Sequence, residues 1–256
     1  ARMQARAAED LKRLVTDKLK AVGLAFTRAD AYATPRRLAL VVDGLPTAQP
    51  DVKDEKKGPR VGSPQQAIDG FLKSSGLGSL DQCEQRDTGK GVFYFAVIEK
   101  KGGPTSKVIA DLLFDIIPGF PWPKSMRWGY NTARWVRPLH NLLALFDGDL
   151  VAPMISLETP NEIRSERSEL LSTVNAVHGH RFLAPHKFPV SGFADYKAKL
   201  LAAKVILDPA ERRAEIWKQA QALAAKEGLT VKQDDALLDE VTGLVEWPVA
   251  LLGRID

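Results

Sequence analysis

The sequence predicts an α+β protein with a mostly antiparallel sheet flanked by helices and a helical C-terminal portion. Strand-like and helix-like segments alternate without the regular spacing of β-α-β units, which disfavours a parallel sheet. Asp147–Gly148 separates two apolar runs within residues 139–153 and is a strong hairpin signal. With 256 residues, 45% of them hydrophobic, the chain can bury one large core or two modest ones.

Apolar residues at three- and four-residue steps predict six helices. In the first, Leu11, Leu14 and Leu19 share a face, and Gly23 is a natural stop. In the second, Pro64 occupies a favoured first helical position. The predicted helices span residues 4–22, 64–76, 105–117, 195–203, 209–227 and 234–244.

Runs rich in β-branched and aromatic residues predict the strands. These strands cover residues 36–43, 91–102, two segments within 139–153, and 245–253. Residues 46–63 are polar and punctuated by proline and glycine, which predicts a loop. We predict an α+β domain over residues 1–190 and a helical segment over 191–256. That segment leads to the last strand, and we expect the chain to be a piece of a longer protein.

The composition indicates a soluble, cytoplasmic protein. The net charge is +4 and the isoelectric point about 9.1, a mildly basic balance that is compatible with a nucleic-acid partner. The single cysteine, Cys83, cannot form an internal disulfide, which favours a reducing compartment. No apolar run approaches the roughly 20 residues that a membrane-spanning helix needs.

Catalytic and metal-binding signatures are missing from the sequence. It has no glycine-rich phosphate loop and no G-x-S-x-G serine elbow. Cys83 has no obvious activating base nearby. His178, His180 and His186 lie close together, but no acidic residue stands at a diagnostic metal-ligand spacing, so a packing role is favoured. We therefore predict no catalytic residue, no bound cofactor and no metal in this chain.

Acidic residues near the end of the chain have structural interpretations. Asp235 and Asp239 are one helical turn apart and would share a solvated face. Glu246 interrupts an otherwise apolar run, which favours a carboxylate that accepts a buried or semi-buried hydrogen bond.

Arginine and tryptophan are concentrated in residues 123–138, PKSMRWGYNTARWVRP. A guanidinium can stack on an indole and still offer its donors to a phosphate, and RNA-binding surfaces use this combination. Buried arginine–carboxylate pairs that brace loops would produce the same composition. The residues alone leave both interpretations open.

The motifs of the chain resemble those of a known family. They are TPRRLAL (34–40), KKGP (56–59), PKSMRWG (123–129), VRPLH (136–140), GHRF (179–182) and LLDEVTGLVEWPV (237–249). Their order and approximate spacing are similar to those of the β subunit of bacterial glycyl-tRNA synthetase, the α2β2 type. The resemblance covers the chain from about residue 10 onward and indicates the N-terminal third or so of that subunit. Residues 158–177 are longer than the spacing expected for that family.

The resemblance implies a component of a tRNA ligase that works in glycyl-tRNA formation. In that family the α subunit activates glycine with ATP and Mg²⁺, and the β subunit is required for charging and supplies most tRNA contacts. The resemblance thus implies two partners, the α subunit in an α2β2 heterotetramer and tRNA-Gly. It also relates this portion to a domain of the phenylalanyl enzyme's β subunit. The β subunit's HD-type and anticodon-binding regions lie outside this portion.

The residues expected to contact tRNA or another subunit lie in the shared motifs. They are Arg36, Arg37, Lys124, Arg127, Trp128, Arg134, Trp135, Arg137, His180 and Arg181. One alternative is a structural scaffold, in which these side chains pack within the protein. Another is an editing-like domain, suggested by the phenylalanyl relative.

Overall fold

The computed structural model of the chain describes residues 1–129, 132–156 and 170–253. The chain forms two compact units. Unit 1 comprises residues 1–46 and 105–256, and unit 2 comprises residues 47–104. The boundaries between the two units lie at residues 46–47 and 104–105, not at the predicted boundary between residues 190 and 191. That boundary stays a prediction. Most of the long segment 158–177 lies outside the described residues.

Six α-helices and eleven strands are present in the described part of the chain. In order they are α1 (Arg2–Ala21), β1 (Arg28–Ala33), β2 (Leu38–Asp43), β3 (Val52–Arg60), α2 (Gln65–Ser75), β4 (Cys83–Asp87), β5 (Val92–Lys100), α3 (Thr105–Ile116), β6 (Leu145–Phe146), β7 (Asp149–Leu150), β8 (Met154–Ser156), β9 (Leu170–Ser172), β10 (Val177–His178), β11 (Lys187–Phe188), α4 (Phe193–Ala202), α5 (Pro209–Lys226) and α6 (Asp235–Thr242). A short 3₁₀ helix, Leu80–Gln82, precedes β4.

The α+β class and the antiparallel pairing are confirmed. The strands form several small sheets, namely β1–β2, β3–β5–β4, β6–β7, β8–β9 and β10–β11. Every strand pair among them is antiparallel. The predicted hairpin is present as β6–β7. Its turn residues Asp147 and Gly148 have φ of 51° and 86°, the left-handed backbone that a tight two-residue hairpin turn requires.

Two predicted elements are wrong. Residues 46–63 contain strand β3, which pairs with β5 at the edge of its sheet. Edge strands tolerate charged, exposed side chains, so a polar sequence did not exclude one. Residues 245–253 form no strand within the described chain. The side chain of Gln219 instead bonds this segment's backbone, donating to the Pro248 carbonyl at 3.3 Å and accepting from the Ala250 amide at 2.9 Å.

The core of unit 1 is built around α1 and α3. Ala7 and Leu19 of α1 pack with Leu112 and Ile116 of α3. Phe120, from the segment after α3, extends this cluster and is 7% exposed. The apolar face that the sequence predicted for α1 is therefore the face that packs into this core.

In unit 2, α2 packs on one face of the three-stranded sheet. Phe71 of α2 meets Tyr94 and Ala96 of β5 in a small buried cluster. Gly58, from the KKGP motif, lies directly against the Phe71 ring, and a Cβ at this position would be 2.6 Å from a ring carbon. The motif glycine thus permits close approach of strand and ring.

Cys83, at the start of β4, packs beside this cluster, and burial raises the pKa of its thiol. A raised pKa leaves less thiolate at neutral pH, so we expect iodoacetamide to alkylate Cys83 more slowly at pH 7.5 than the cysteine of a short, unstructured peptide blocked at both ends. The alkylation rate of Cys83, followed by mass spectrometry from pH 7 to 10, should also rise at a higher pH than that of the peptide. Equal or faster alkylation of the folded protein would contradict this prediction.

No helix in the described ranges of the chain is long and apolar enough to cross a membrane.

Candidate nucleic-acid interface

The arginine- and tryptophan-rich stretch doubles back on itself. The amide of Met126 donates to the carbonyl of Trp135 at 2.8 Å, and the amide of Trp135 donates to the carbonyl of Met126 at 3.1 Å. Tyr130 and Asn131 lie outside the described residues. The reciprocal bonds bring the two halves of the stretch side by side, so its cationic residues belong to one local surface.

The tryptophans of this stretch pack inward. The Trp135 ring lies 5.0 Å from Trp122 in an edge-on arrangement and 5.2 Å from Phe120. Trp128 packs against the buried cluster that contains Ile155. Aromatic pairs at these distances add stability beyond the area that they bury. The two tryptophans are therefore half-buried members of the core.

The cations of the same stretch are exposed. They are Lys124, Arg127, Arg134 and Arg137, which we call the basic strip. Arg134 is steadied by Ser125, because its Nε donates to the hydroxyl at 3.1 Å and its Nη2 donates to the backbone carbonyl at 3.3 Å. Exposed guanidinium groups on a packed aromatic base keep donors available to a phosphate. In this stretch the tryptophans therefore lie inside and the cations lie outside.

A second group of motif residues meets at the turn between β1 and β2. The hydroxyl of buried Thr34 accepts from the amides of Arg36 and Arg37, at 3.1 and 2.9 Å. It also donates to Oε1 of Glu246 at 2.7 Å. Side-chain-to-backbone bonds of this kind fix tight turns. The turn separates the neighbouring arginines, because Arg36 is exposed whereas Arg37 points inward.

Arg37 and Glu246 form a buried ion pair. Nε of Arg37 lies 2.9 Å from Oε1 of Glu246, and the two side chains are 14% and 3% exposed. The N–H is poorly aligned with that oxygen, so the contact is an ion pair and not a linear hydrogen bond. Nη2 of Arg37 donates to the Gly179 carbonyl at 2.9 Å. The prediction that Glu246 accepts a buried hydrogen bond is confirmed by its bond from Thr34.

Arg212, which lies outside the residues predicted from sequence, completes this buried polar group. Its side chain is fully buried at the start of α5, and burial lowers the pKa of its guanidinium, opposed by the carboxylates of Glu246 and Asp208. The guanidinium donates to four backbone carbonyls. They belong to Ile206 at 2.7 Å, Leu207 at 2.8 Å, Ala33 at 3.0 Å and Thr242 at 3.4 Å.

A sequence signal for Arg212 did exist. It lies four residues before Ile216 and eight before Ala220, a spacing that places all three on one side of the helix. Its neighbour Arg213 faces the other way and pairs with Asp235 and Asp239 of α6 at 2.6 and 2.7 Å. The expectation that these two aspartates share an exposed helix face is confirmed.

Three motifs converge on a cleft of about 210 Å³ above the buried group. The cleft is lined by Pro35, Arg36, His180, Arg181, Phe182, Leu244, Val245, Glu246 and Trp247. Of the residues predicted from sequence, Arg36, His180 and Arg181 are thus brought together. The basic strip does not line this cleft. In the described ranges, no three histidine, cysteine or acidic residues are grouped to hold a metal ion.

Exposed cations beside aromatic rings are the arrangement by which RNA-binding proteins hold phosphates and bases. A family model described as "Glycyl-tRNA synthetase beta subunit" matches residues 1–256, and the chain belongs to this family. The resemblance seen in the motifs is therefore confirmed.

Curated relatives support the same family. The chain is 55% identical to the glycine–tRNA ligase beta subunit of Rhodospirillum centenum, covering 100% of this chain and 37% of that protein. It is 51% identical to the beta subunit of a Ruegeria species and 48% identical to that of Paracoccus denitrificans, each covering 100% of this chain and 36% of the relative. The chain thus spans little more than a third of the length of these relatives.

Proposed function

We propose that this chain is the portion of a glycine–tRNA ligase β subunit that binds tRNA-Gly and supports assembly with the α subunit in an α2β2 enzyme of the cytoplasm. The observation that carries the RNA-binding role is the basic strip, four exposed cations on a packed tryptophan base. No aminoacylation site is assigned to this portion. ATP and Mg²⁺ are proposed to bind the α subunit.

The scaffold role has its own supporting observation, which is the buried group formed by Thr34, Arg37, Arg212 and Glu246. Residues 242 to 246 lie far from residues 33 to 37 along the chain, and this group joins them through hydrogen bonds and an ion pair. The inner arginines therefore brace the fold, while the outer cations lie exposed at the surface, where a partner can reach them. The editing-like alternative stays an expectation, and deacylation of mischarged tRNA would test it.

The RNA-binding role predicts a change in salt dependence. In the complete ligase, the double variant Arg127→Ala, Arg134→Ala should weaken binding of tRNA-Gly. It should also make the slope of log affinity against log salt shallower by about 1 to 2, because each phosphate contact that is lost reduces the number of counterions released on binding. Filter binding across a salt series measures both quantities.

Arg86→Ala is the matched control, since Arg86 is an exposed arginine of unit 2 that already pairs with Glu55 and Glu84. It should leave both quantities close to those of the unaltered enzyme. An unchanged affinity and slope in the double variant would refute the RNA-contact role of the strip.

A further inference from the structure

Phe182 is the most exposed phenylalanine or tryptophan in the described part of the chain. It is 78% exposed, against 54% for Phe114, the next in order. Its neighbour Leu183 is 56% exposed, and Leu244, which lines the same cleft as Phe182, is 66% exposed. Apolar side chains gathered at one exposed site indicate a surface that meets a partner.

The turn that carries Phe182 is held in place by its own hydrogen bonds. Nδ1 of His180 accepts from the amides of Phe182 and Leu183, at 3.3 and 3.1 Å. The Ala184 amide donates to the His180 carbonyl at 3.0 Å. Gly179 is required for this packing, since a Cβ there would lie 2.3 Å from the Ala184 carbonyl oxygen. An aromatic ring on a fixed turn loses little conformational entropy when a ligand stacks on it.

Positive charge lies beside the ring and in the same cleft. The guanidinium carbon of Arg181 lies 5.3 Å from the centre of the Phe182 ring, and Arg36 lines the same cleft. Among the described residues that line the cleft, the one carboxylate is that of Glu246, which is buried and held by Thr34 and Arg37. An anionic ligand with a flat apolar part matches this combination of exposed ring and exposed cations.

The size of the cleft further limits the kinds of ligand that it can hold. Its volume of about 210 Å³ is smaller than the roughly 300–1,000 Å³ of pockets that enclose drug-sized molecules. It suits one planar ring system with a phosphate at its edge. A duplex would hide its bases from the Phe182 ring, whereas an unpaired nucleotide offers both a free base face and a phosphate.

We propose that this cleft binds an unpaired nucleotide of RNA, with the base stacked on Phe182 and the phosphate held by Arg36 and Arg181. The inference deepens the proposed RNA-binding function and rests on it. His180 acts as a positioning residue, because its Nδ1 keeps the turn in the shape that presents the ring.

The test uses the complete ligase and two RNA probes. One is a single-stranded oligoadenylate hexamer that contains 2-aminopurine, whose fluorescence falls on stacking, and the other is a blunt RNA duplex. Phe182→Leu should weaken hexamer binding roughly 5- to 150-fold, as expected for the loss of one base–aromatic stack, and should abolish the quenching. Duplex binding should stay unchanged. Phe182→Trp should retain both the affinity and the quenching.

Two further variants separate stacking from structural damage. Phe114→Leu removes an exposed ring from α3 and should leave hexamer binding unchanged. His180→Asn keeps an acceptor near the Nδ1 position and should bind better than His180→Ala. Equal loss for His180→Asn and His180→Ala would overturn the positioning role.

The inference is overturned if Phe182→Leu binds the hexamer with normal affinity, or if its affinities for the hexamer and the duplex fall equally. It is also overturned if the variant retains normal RNA binding but loses the α subunit on gel filtration, which would mark a protein-docking surface. If the basic-strip variants change the salt slope while Phe182→Leu has no effect, only this inference fails. If neither set of variants changes RNA binding, the proposed function fails with it.

Discussion

Replacing Arg212 by alanine is expected to lower the free energy of unfolding of unit 1 by about 3–5 kcal/mol. The change leaves four backbone carbonyls without their donor and opens a cavity where a fully buried side chain stood. It also removes a cation that offsets the buried charge of Glu246. Few single substitutions combine these three losses.

Urea unfolding followed by tryptophan fluorescence measures this effect. All five tryptophans lie outside residues 47–104, so the signal reports unit 1. Arg213→Ala is the matched control, since Arg213 is adjacent in sequence but makes only exposed ion pairs, and it should change stability little. If the two alanine variants unfold at the same urea concentration, the bracing role of Arg212 is wrong.

The second large effect is expected at the Arg37–Glu246 pair. Glu246→Ala should lower the free energy of unfolding by about 3–5 kcal/mol, because it leaves the Arg37 guanidinium buried without its counter-charge. Arg37→Met should also lower it, because it leaves the Glu246 carboxylate buried without its counter-charge. Glu246→Gln should lose less than Glu246→Ala, because an amide oxygen can still accept the bond from Thr34.

A double-mutant cycle tests whether these two side chains act together. The double variant Arg37→Met, Glu246→Met should be more stable than the summed losses of the single variants Arg37→Met and Glu246→Met predict, with a coupling energy of about 1–3 kcal/mol. A buried ion pair replaced by apolar groups often recovers stability in this way. Losses that add without coupling would show that the pair does not interact energetically. Asp239→Ala, at an exposed partner of Arg213, serves as the control for removing a surface carboxylate.

Substitutions at Arg37 and at its neighbour Arg36 distinguish a residue that braces the fold from a residue of the proposed binding surface. If Arg37 acts only inside the fold, RNA affinity per folded molecule should survive Arg37→Met when the protein is kept at a temperature where it remains folded. Arg36 lies next to it in the chain but is exposed at the cleft, so Arg36→Ala should spare stability and weaken RNA binding. Adjacent arginines would then have separate roles because of the turn that Thr34 fixes.

Local patterns in the sequence were sufficient for much of the fold. All six predicted helices are present within a few residues of their expected bounds, because apolar spacing and glycine stops are local signals. The Asp147–Gly148 hairpin is likewise a local preference of the backbone. Strand β3 was missed because its pairing with β5 depends on residues some 40 positions away. The strand expected over 245–253 failed because a distant side chain, Gln219, takes its backbone bonds.

In the candidate site, too, local sequence predicts some features and long-range contacts decide others. Its motifs, and with them the family, can be recognised from the sequence, because residue identity and order are enough to carry that information. In Arg36–Arg37 and in Arg212–Arg213, however, neighbouring residues have the same side chain and the same local propensity. Long-range contacts with Glu246 and with carbonyls of other segments draw one arginine of each pair inward. Only the folded chain brings these partners together, so only the tertiary structure shows which arginines are buried inside the fold and which remain exposed.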